Sequence, residues 1–245
     1  MVHARHRILR IVLAAAAAAC AATSPALADP RPGDTLVAAI RAADQQTQAD
    51  WAYTRRLRVK AHDEEQTEVV SRIDPSQPPG KRCIVLSGKD ADACEDALEI
   101  PTYSKLQRLL SGARIERLSE NSERAVYRAH ARRAPGLKIF GIGIRFGDDD
   151  KQPLLVMLDV AKSGAHAPFV EHVKIELEEA EGNTLARVQQ LTIRYDYQPD
   201  QATGALLLRG YHVDVGVSIL KSFSVSTRVE SQFEAYQRVA VATVP

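Results

Sequence analysis

Apolar and polar residues alternate with a period of two through most of the second half of the chain. Leu154, Val156, Leu158 and Val160 share one parity, and Phe169, Val173, Ile175 and Leu177 share another against His172, Lys174, Glu176 and Glu178. Leu191, Ile193, Tyr195 and Tyr197 alternate with Gln190, Thr192, Arg194 and Asp196. Tyr211, Val213, Val215, Val217 and Ile219 do so with His212, Asp214 and Ser218, and Phe223, Val225, Val229 and Phe233 with Ser224, Ser226, Arg228, Glu230 and Gln232. Strict alternation puts apolar side chains on one face and polar ones on the other. Consecutive strands of this kind, joined by short polar connections, predict an antiparallel sheet with one dry and one wet face.

The first half carries shorter elements. Leu36, Val37, Ile40 and Ala43 recur at helical spacing, predicting an amphipathic helix over Asp34–Gln48 with Asp34 or Thr35 as its cap. From Trp51 the period changes to two, with Trp51, Tyr53, Leu57 and Val59 at odd positions and Arg56, Arg58 and Lys60 among the even ones. A second strand is expected over Glu68–Ile73. Asp74-Pro75-Ser76-Gln77-Pro78-Pro79-Gly80 ends it, since a central strand does not tolerate such a run. Arg82–Leu86 reads as a third strand, and Thr102–Leu110, with Tyr103, Leu106, Leu109 and Leu110, as a short helix. Ile115–Ala131 reads as a hairpin turning at Glu120-Asn121-Ser122, followed by an apolar stretch over Leu137–Phe146.

Many antiparallel strands in succession twist and curl toward a barrel. The expected class is therefore mainly β with a minor helical part (α+β). The expected form is an open antiparallel half-barrel whose concave apolar face is covered by the N-terminal helix and the short inserted helix. Val173, Ile175, Leu191, Ile193, Tyr195, Val213, Val215, Val217, Val225 and Val229 are the residues expected to line that face. The covering helix offers mostly Ala past Ile40, so the face either encloses a cavity for an apolar ligand or is filled as an ordinary core.

The start of the chain has its own pattern. His3, Arg5, His6, Arg7 and Arg10 precede an apolar run over Ile11–Ala22, and Ala26-Leu27-Ala28 stands before Asp29. A basic region, a short apolar region and an Ala-x-Ala site are the features of a secretory signal peptide over 1–28, cut between Ala28 and Asp29. One domain over 29–245 is then expected, soluble in the periplasm. The apolar run falls short of the roughly 20 residues of a membrane-spanning helix, so the protein is not expected to span a membrane. Cys20, behind Ala17-Ala18-Ala19, offers a competing route in which it is lipid-anchored.

Cleavage at that site leaves Cys83 and Cys94 as the exported cysteines, and an even pair in an oxidising compartment predicts a disulfide. The formal net charge is +1 over 245 residues, and the expected signal holds three arginines and no acid. Without a basic surplus, nucleic acid is not expected as a partner.

No catalytic residue and no resident metal or cofactor is expected. His212 and Asp214 share the wet side of one strand, but polar strand positions ordinarily face water. Asp148-Asp149-Asp150 lacks the spaced oxygens of a calcium loop, and Gly141-Ile142-Gly143 precedes Arg145-Phe146-Gly147 rather than a helix. Ser87-Gly88 and Ser111-Gly112 lack the flanking glycines of a nucleophile elbow, so an enzyme is not the expected class.

A signal-like start and a helix followed by Trp51-x-Tyr53 on a basic strand resemble the beginning of the periplasmic outer-membrane lipoprotein carrier (LolA-like) superfamily. Ile73-Asp74-Pro75-Ser76-Gln77-Pro78-Pro79-Gly80 resembles a loop that recurs in uncharacterised members, and Phe223-Ser224-Val225-Ser226 to Phe233 is similar to their last strand. The resemblance implies an unclosed barrel with helices over a hydrophobic cavity for acyl chains. One departure is that Cys83, rather than an aromatic residue, follows Arg82. No functional residue is carried over. The resulting expectation is a carrier or binding protein for a lipid, a lipoprotein acyl group or another hydrophobic ligand, whose partner is that ligand or a lipidated protein. The alternative is a cell-envelope interaction or sensor domain that holds a protein partner through an edge strand or the Asp74–Gly80 loop.

Overall fold

The computed structural model describes residues 36, 39–40, 51–62, 64–78, 80–88, 94, 110, 112–132, 138–139, 142–143, 153–182, 186–219 and 223–239. By its contacts the chain divides into Met1–Arg31 and Pro32–Pro245, and all the described residues belong to the second unit. The expected signal segment and Cys20 lie outside them, as do Gly141 and Asp148–Asp150. Of the two expected helices, Leu36, Ala39 and Ile40 of the first and Leu110 of the second are described, helical and buried; the remainder lies outside the described residues.

Thirteen strands are described: β1 (Trp51–Ala61), β2 (Thr67–Ile73), β3 (Cys83–Ser87), β4 (Arg114–Glu120), β5 (Arg124–Arg132), β6 (Lys138–Ile139) and β7 (Ile142–Gly143) in the first part. They continue with β8 (Pro153–Ala161), β9 (Phe169–Leu177), β10 (Glu181–Gly182), β11 (Ala186–Pro199), β12 (Leu206–Ile219) and β13 (Phe223–Arg238). The main sheet is antiparallel in the order β3-β2-β1-β13-β12-β11-β9-β8-β5-β4, with β10 paired to β11. The two short strands β6 and β7 form a separate ribbon inside the apolar stretch Leu137–Phe146. Because β3 and β4 are not paired with each other, the sheet is open rather than a closed barrel.

Long-range pairing of β1 with β13 joins the two halves of the chain. Arg55 lies opposite Phe233 and Val59 opposite Val229, with an irregularity between Ala52 and Thr54. Ala235, within β13 near that break, takes a positive φ of 52°. Such a bulge inserts an extra residue and strengthens the local twist.

The parity read from sequence is the parity of the sheet. Val156, Leu158, Val173, Ile175, Leu191, Ile193 and Val213 are buried on one face together with Tyr53, Ile73 and Tyr127 from the N-terminal strands. Leu36, Ile40 and Leu110 belong to the same cluster, so helical residues from both expected helices pack on this side. Burial of a Val, Leu or Ile side chain contributes about 1.5–3 kcal/mol, which makes this shared face the main source of stability.

The opposite face is a lattice of ion pairs along and between strands. Arg56 and Arg58 each reach Glu68 at 2.7 Å, Arg228 reaches Asp214 at 2.8 Å, Lys174 reaches Glu176 at 2.7 Å, and Arg124 reaches Glu171 at 2.7 Å. Individually such exposed pairs contribute about 0–1 kcal/mol, so their role is to keep this face wet and in register more than to hold the fold.

Candidate functional site

The apolar face is the candidate site, and the ten residues expected to line it fall into three groups. Val173, Ile175, Leu191, Ile193, Tyr195 and Val213 are buried in the main cluster, and Val215 packs partly buried against it. Their register explains the grouping: Ile175 lies opposite Ile193, which lies opposite Val213, and Leu191 lies opposite Val215. Val229 is buried in a smaller cluster with Leu57 and Val69. Val217 and Val225, opposite each other, are half-buried, and the next pair on the same parity is Ile219 and Phe223. Ile219 is 38% exposed and Phe223 58% exposed. The apolar face is thus covered along most of its length and runs out into solvent at the β12–β13 end.

Aromatic residues gather toward the other end of the same strands. The rings of Tyr195 and Tyr211 stack with centroids 5.2 Å apart, and Tyr53 meets Phe233 edge-on at 5.7 Å. Burial holds the phenols of Tyr195 and Tyr197 well above the usual tyrosine range, so they are neutral groups of an apolar wall.

A polar island interrupts this face, and the sequence reading missed it. Arg55 lies opposite Ser71 on β2, and its Nε donates to Ser231 Oγ at 3.3 Å; all three residues are buried. The signal was present as an omission. Among the odd positions of β1, 53, 57 and 59 are apolar and 55 is Arg, so the guanidinium is carried to the dry side by strand parity. Burial raises the Tyr53 phenol, and the nearby Arg55 charge partly opposes it. A guanidinium in a low-dielectric surround binds its acceptors more strongly than one in water.

Two other places gather polar and charged side chains. On the wet face His212 Nε2 and Asp214 Oδ2 stand 2.6 Å apart, while Arg228 Nε donates to Asp214 Oδ1. Burial raises the Asp214 carboxyl, but the hydrogen bonds from Arg228 and His212 outweigh it and leave its pKa below the ordinary value. Both carboxylate oxygens are therefore engaged, and no group of three or more metal-ligating side chains occurs among the described residues.

The second place is a cleft of 550 Å³ between the β8–β9 loop and the β11–β12 hairpin, lined by His166, Phe169, Glu171, Tyr197, Gln198 and Arg209 among others. Its charged groups serve structure: Glu171 pairs with Arg124 at 2.7 Å, and Arg209 Nε donates to Gln198 at 2.9 Å. Gly204 closes the hairpin at φ +72°, where an added Cβ would lie 2.5 Å from His166 Nδ1.

Cys83 and Cys94 are joined by a disulfide, with Cα atoms 5.6 Å apart, within the usual window for such a bridge. Among the described residues no helix is long and apolar enough to cross a membrane.

The class these features define is a mostly β protein: an open antiparallel sheet with one covered apolar face and a disulfide at one edge. No protein-family model matches the chain, and no curated protein matches it. Among solved structures it is similar to the LolA superfamily protein NE2245 from Nitrosomonas europaea. That likeness is at 11% identity with a TM-score of 0.36, over 86% of this chain and 95% of that one. It is a likeness in outline, and the functional reading rests on this chain's own residues.

Proposed function

We propose that the protein is a non-catalytic periplasmic carrier or binding protein for a lipid, a lipoprotein acyl group or another hydrophobic ligand. The observation that supports this reading is the continuity of the apolar face. It passes from the covered cluster around Ile193 and Val213, through half-buried Val217 and Val225, to solvent-exposed Ile219 and Phe223. A filled core has no need of such an outlet, whereas an acyl chain entering beneath a cover does. The basic, apolar and Ala-x-Ala segments before Asp29 fit export to the periplasm. A carrier releases its cargo, so the cover of helical residues moves relative to the sheet.

The reading is tested by native mass spectrometry with lipid extraction of protein taken from a periplasm, and by titration with a fluorescent fatty acyl probe. Bound lipid and saturable probe uptake are expected. Val215→Phe stays apolar and fills space, so it should cut probe uptake with little change in a denaturant melt. A loss of about 1–3 kcal/mol in the melt, with uptake unaltered, would mean an already packed core and sink the proposal.

A further inference from the structure

We propose that the cleft between the β8–β9 loop and the β11–β12 hairpin is a binding site for a short neutral saccharide. The cleft holds 550 Å³, within the range of sites that take small molecules. This site goes beyond the carrier reading and lies apart from it. Arg209, in the lining of the cleft, and Ile219, at the outlet of the apolar face, stand near opposite ends of β12, about 30 Å apart along the strand.

Both walls are fixed before any ligand arrives. His166 of the β8–β9 loop sets its Nε2 3.2 Å from the carbonyl oxygen of Gln201, which ties the loop to the hairpin. The hairpin is closed by Asp200, whose carboxylate accepts from the Thr203 backbone N–H at 2.9 Å and the Thr203 hydroxyl at 2.8 Å. Gly204 lets the two walls meet, since a Cβ there would overlap the His166 ring. The floor comes from β9 and β11, which pair as neighbours in the interior of the sheet. A site held in its bound shape loses little freedom on binding.

Charge in and around the cleft selects against an ion. Glu171 is met by Arg124 at 2.7 Å, and Asp196, next in the chain to the lining residue Tyr197, is met by His172 at 2.7 Å. Asp200 is taken up by Thr203, and Arg209 donates its Nε–H to Gln198 Oε1 at 2.9 Å. An anion would face the Glu171 carboxylate and a cation the Arg209 guanidinium, so neither sign is favoured. The backbone groups of β9 and β11 are spent on the ladder, so an extended peptide finds no edge to join. An acyl chain would strip water from these amides and charges without pairing them.

What the cleft offers instead is hydrogen bonding in both senses. Gln198 uses Oε1 on Arg209 and keeps its amide N–H groups as donors, and the Gln201 amide carries both a donor and an acceptor. The terminal nitrogens of Arg209 donate, and Glu171, with Oε2 on Arg124, keeps Oε1 as an acceptor. Half-buried Phe169 adds an aromatic ring to the same lining. Each hydroxyl of a sugar both donates and accepts, while the C–H face of its ring is apolar. Neighbouring hydroxyls can therefore donate to Glu171 and accept from Arg209 and Gln198, with the C–H face laid against Phe169. A neutral polyol with an apolar face is the ligand class that uses both sets of groups.

The test titrates the disulfide-bonded protein with maltose, cellobiose and diacetylchitobiose, read by saturation-transfer NMR. A monosulfated form of the tightest binder serves as the anionic control. At least one neutral disaccharide should bind saturably, and its sulfated form several-fold more weakly. Arg209→Met keeps the length of an exposed side chain but removes its donors, and should weaken binding by about tenfold with the denaturant melt unchanged. Phe169→Leu keeps the packing apolar but removes the ring, and a several-fold loss of affinity is expected. Should that variant fold poorly by circular dichroism, Gln201→Ala on the exposed hairpin takes its place, with a several-fold loss again expected. Saturating sugar should leave uptake of the fatty acyl probe unaltered. No saturable binding of any of the three disaccharides, equal or tighter binding of the sulfated form, or an affinity that Arg209→Met leaves unchanged would overturn the proposal. Displacement of the acyl probe by the sugar would also overturn it, assigning both ligands to the apolar face.

Discussion

β3 and β4 end the same path of strands and solve the problem of an open edge in opposite ways. β4 carries Arg114, Glu116, Arg117 and Glu120, and its charges are tied into their surroundings. Glu116 pairs with Arg128 at 3.1 Å, and Glu120 with Arg117 and Lys162. The turn beyond it is closed by Asn121 Oδ1, which accepts from the backbone N–H groups of Glu123 and Arg124 at 2.8 and 2.7 Å. β3 has an uncharged Ile84-Val85-Leu86 run and is secured instead by its disulfide. Charged side chains on an edge discourage the addition of another strand. The difference therefore separates an edge tied down by charged side chains from an uncharged one secured by a covalent bridge.

The largest effect that sharpens this contrast comes from the middle of the sheet. Ile193 is fully buried on β11, between strands that lead to both edges. Ile193→Ala should cost about 2–5 kcal/mol in a denaturant melt, through lost transfer energy and the cavity left behind. Amide hydrogen exchange over 83–87 and 114–120 should accelerate together, because both edges hang on one core. An unchanged β4 alongside a loosened β3 would show that the edges do not share a cooperative unit, and the comparison would then be between two separate folding units.

Replacing Cys83 and Cys94 by Ser should be the next largest change and should act on one edge alone. Closing so short a loop constrains the unfolded chain by about 2–3 kcal/mol in the chain-entropy model. Exchange should rise across 83–87, with 114–120 unaltered at equal fractions of global unfolding. A loss shared equally by both edges at that matched stability would mean that the bridge has no local role at β3.

Much of the central sheet was legible in the sequence because its physics is local. A residue's face is set by parity, so the buried set from Val156 to Val213 followed from alternation alone. Strand order is a long-range property, and nothing in the alternation of Tyr53–Val59 announces that β13 lies beside it. Nor does alternation reveal where the cover stops: Val217 and Val225 read like Val213, yet they sit where the face emerges toward Phe223. Arg55 was overlooked because it breaks the apolar parity that identified its neighbours. The edge character of β3 was hidden for a related reason, since a short apolar run reads equally well as a central strand.

The smallest effect separates the two edges by the chemistry of one carboxylate at each. At the β3 end, Asp74 is held below the usual carboxylate range first by the Ser76 hydroxyl, with the Ser76 backbone N–H and Gln77 adding to it. At the β4 end, Glu120 is lowered first by its hydrogen bond from Lys162, with the charges of Arg117 and Lys162 adding to it. In both cases the folded-state pKa is depressed, so the stabilisation is fully present above the unfolded-state value of about 4 and is lost as pH falls through the folded value. Salt distinguishes them. Raising the ionic strength to about 1 M shortens the screening length to about 3 Å, which weakens the exposed cation contacts of Glu120 far more than the neutral hydroxyl contact of Asp74. NMR titration of the side-chain carboxyl carbons should therefore show Glu120 returning toward its ordinary value in high salt while Asp74 stays depressed. If both rise together, the Asp74 turn depends on charge as much as β4 does, and the contrast between a charged edge and a neutral one fails at its loop.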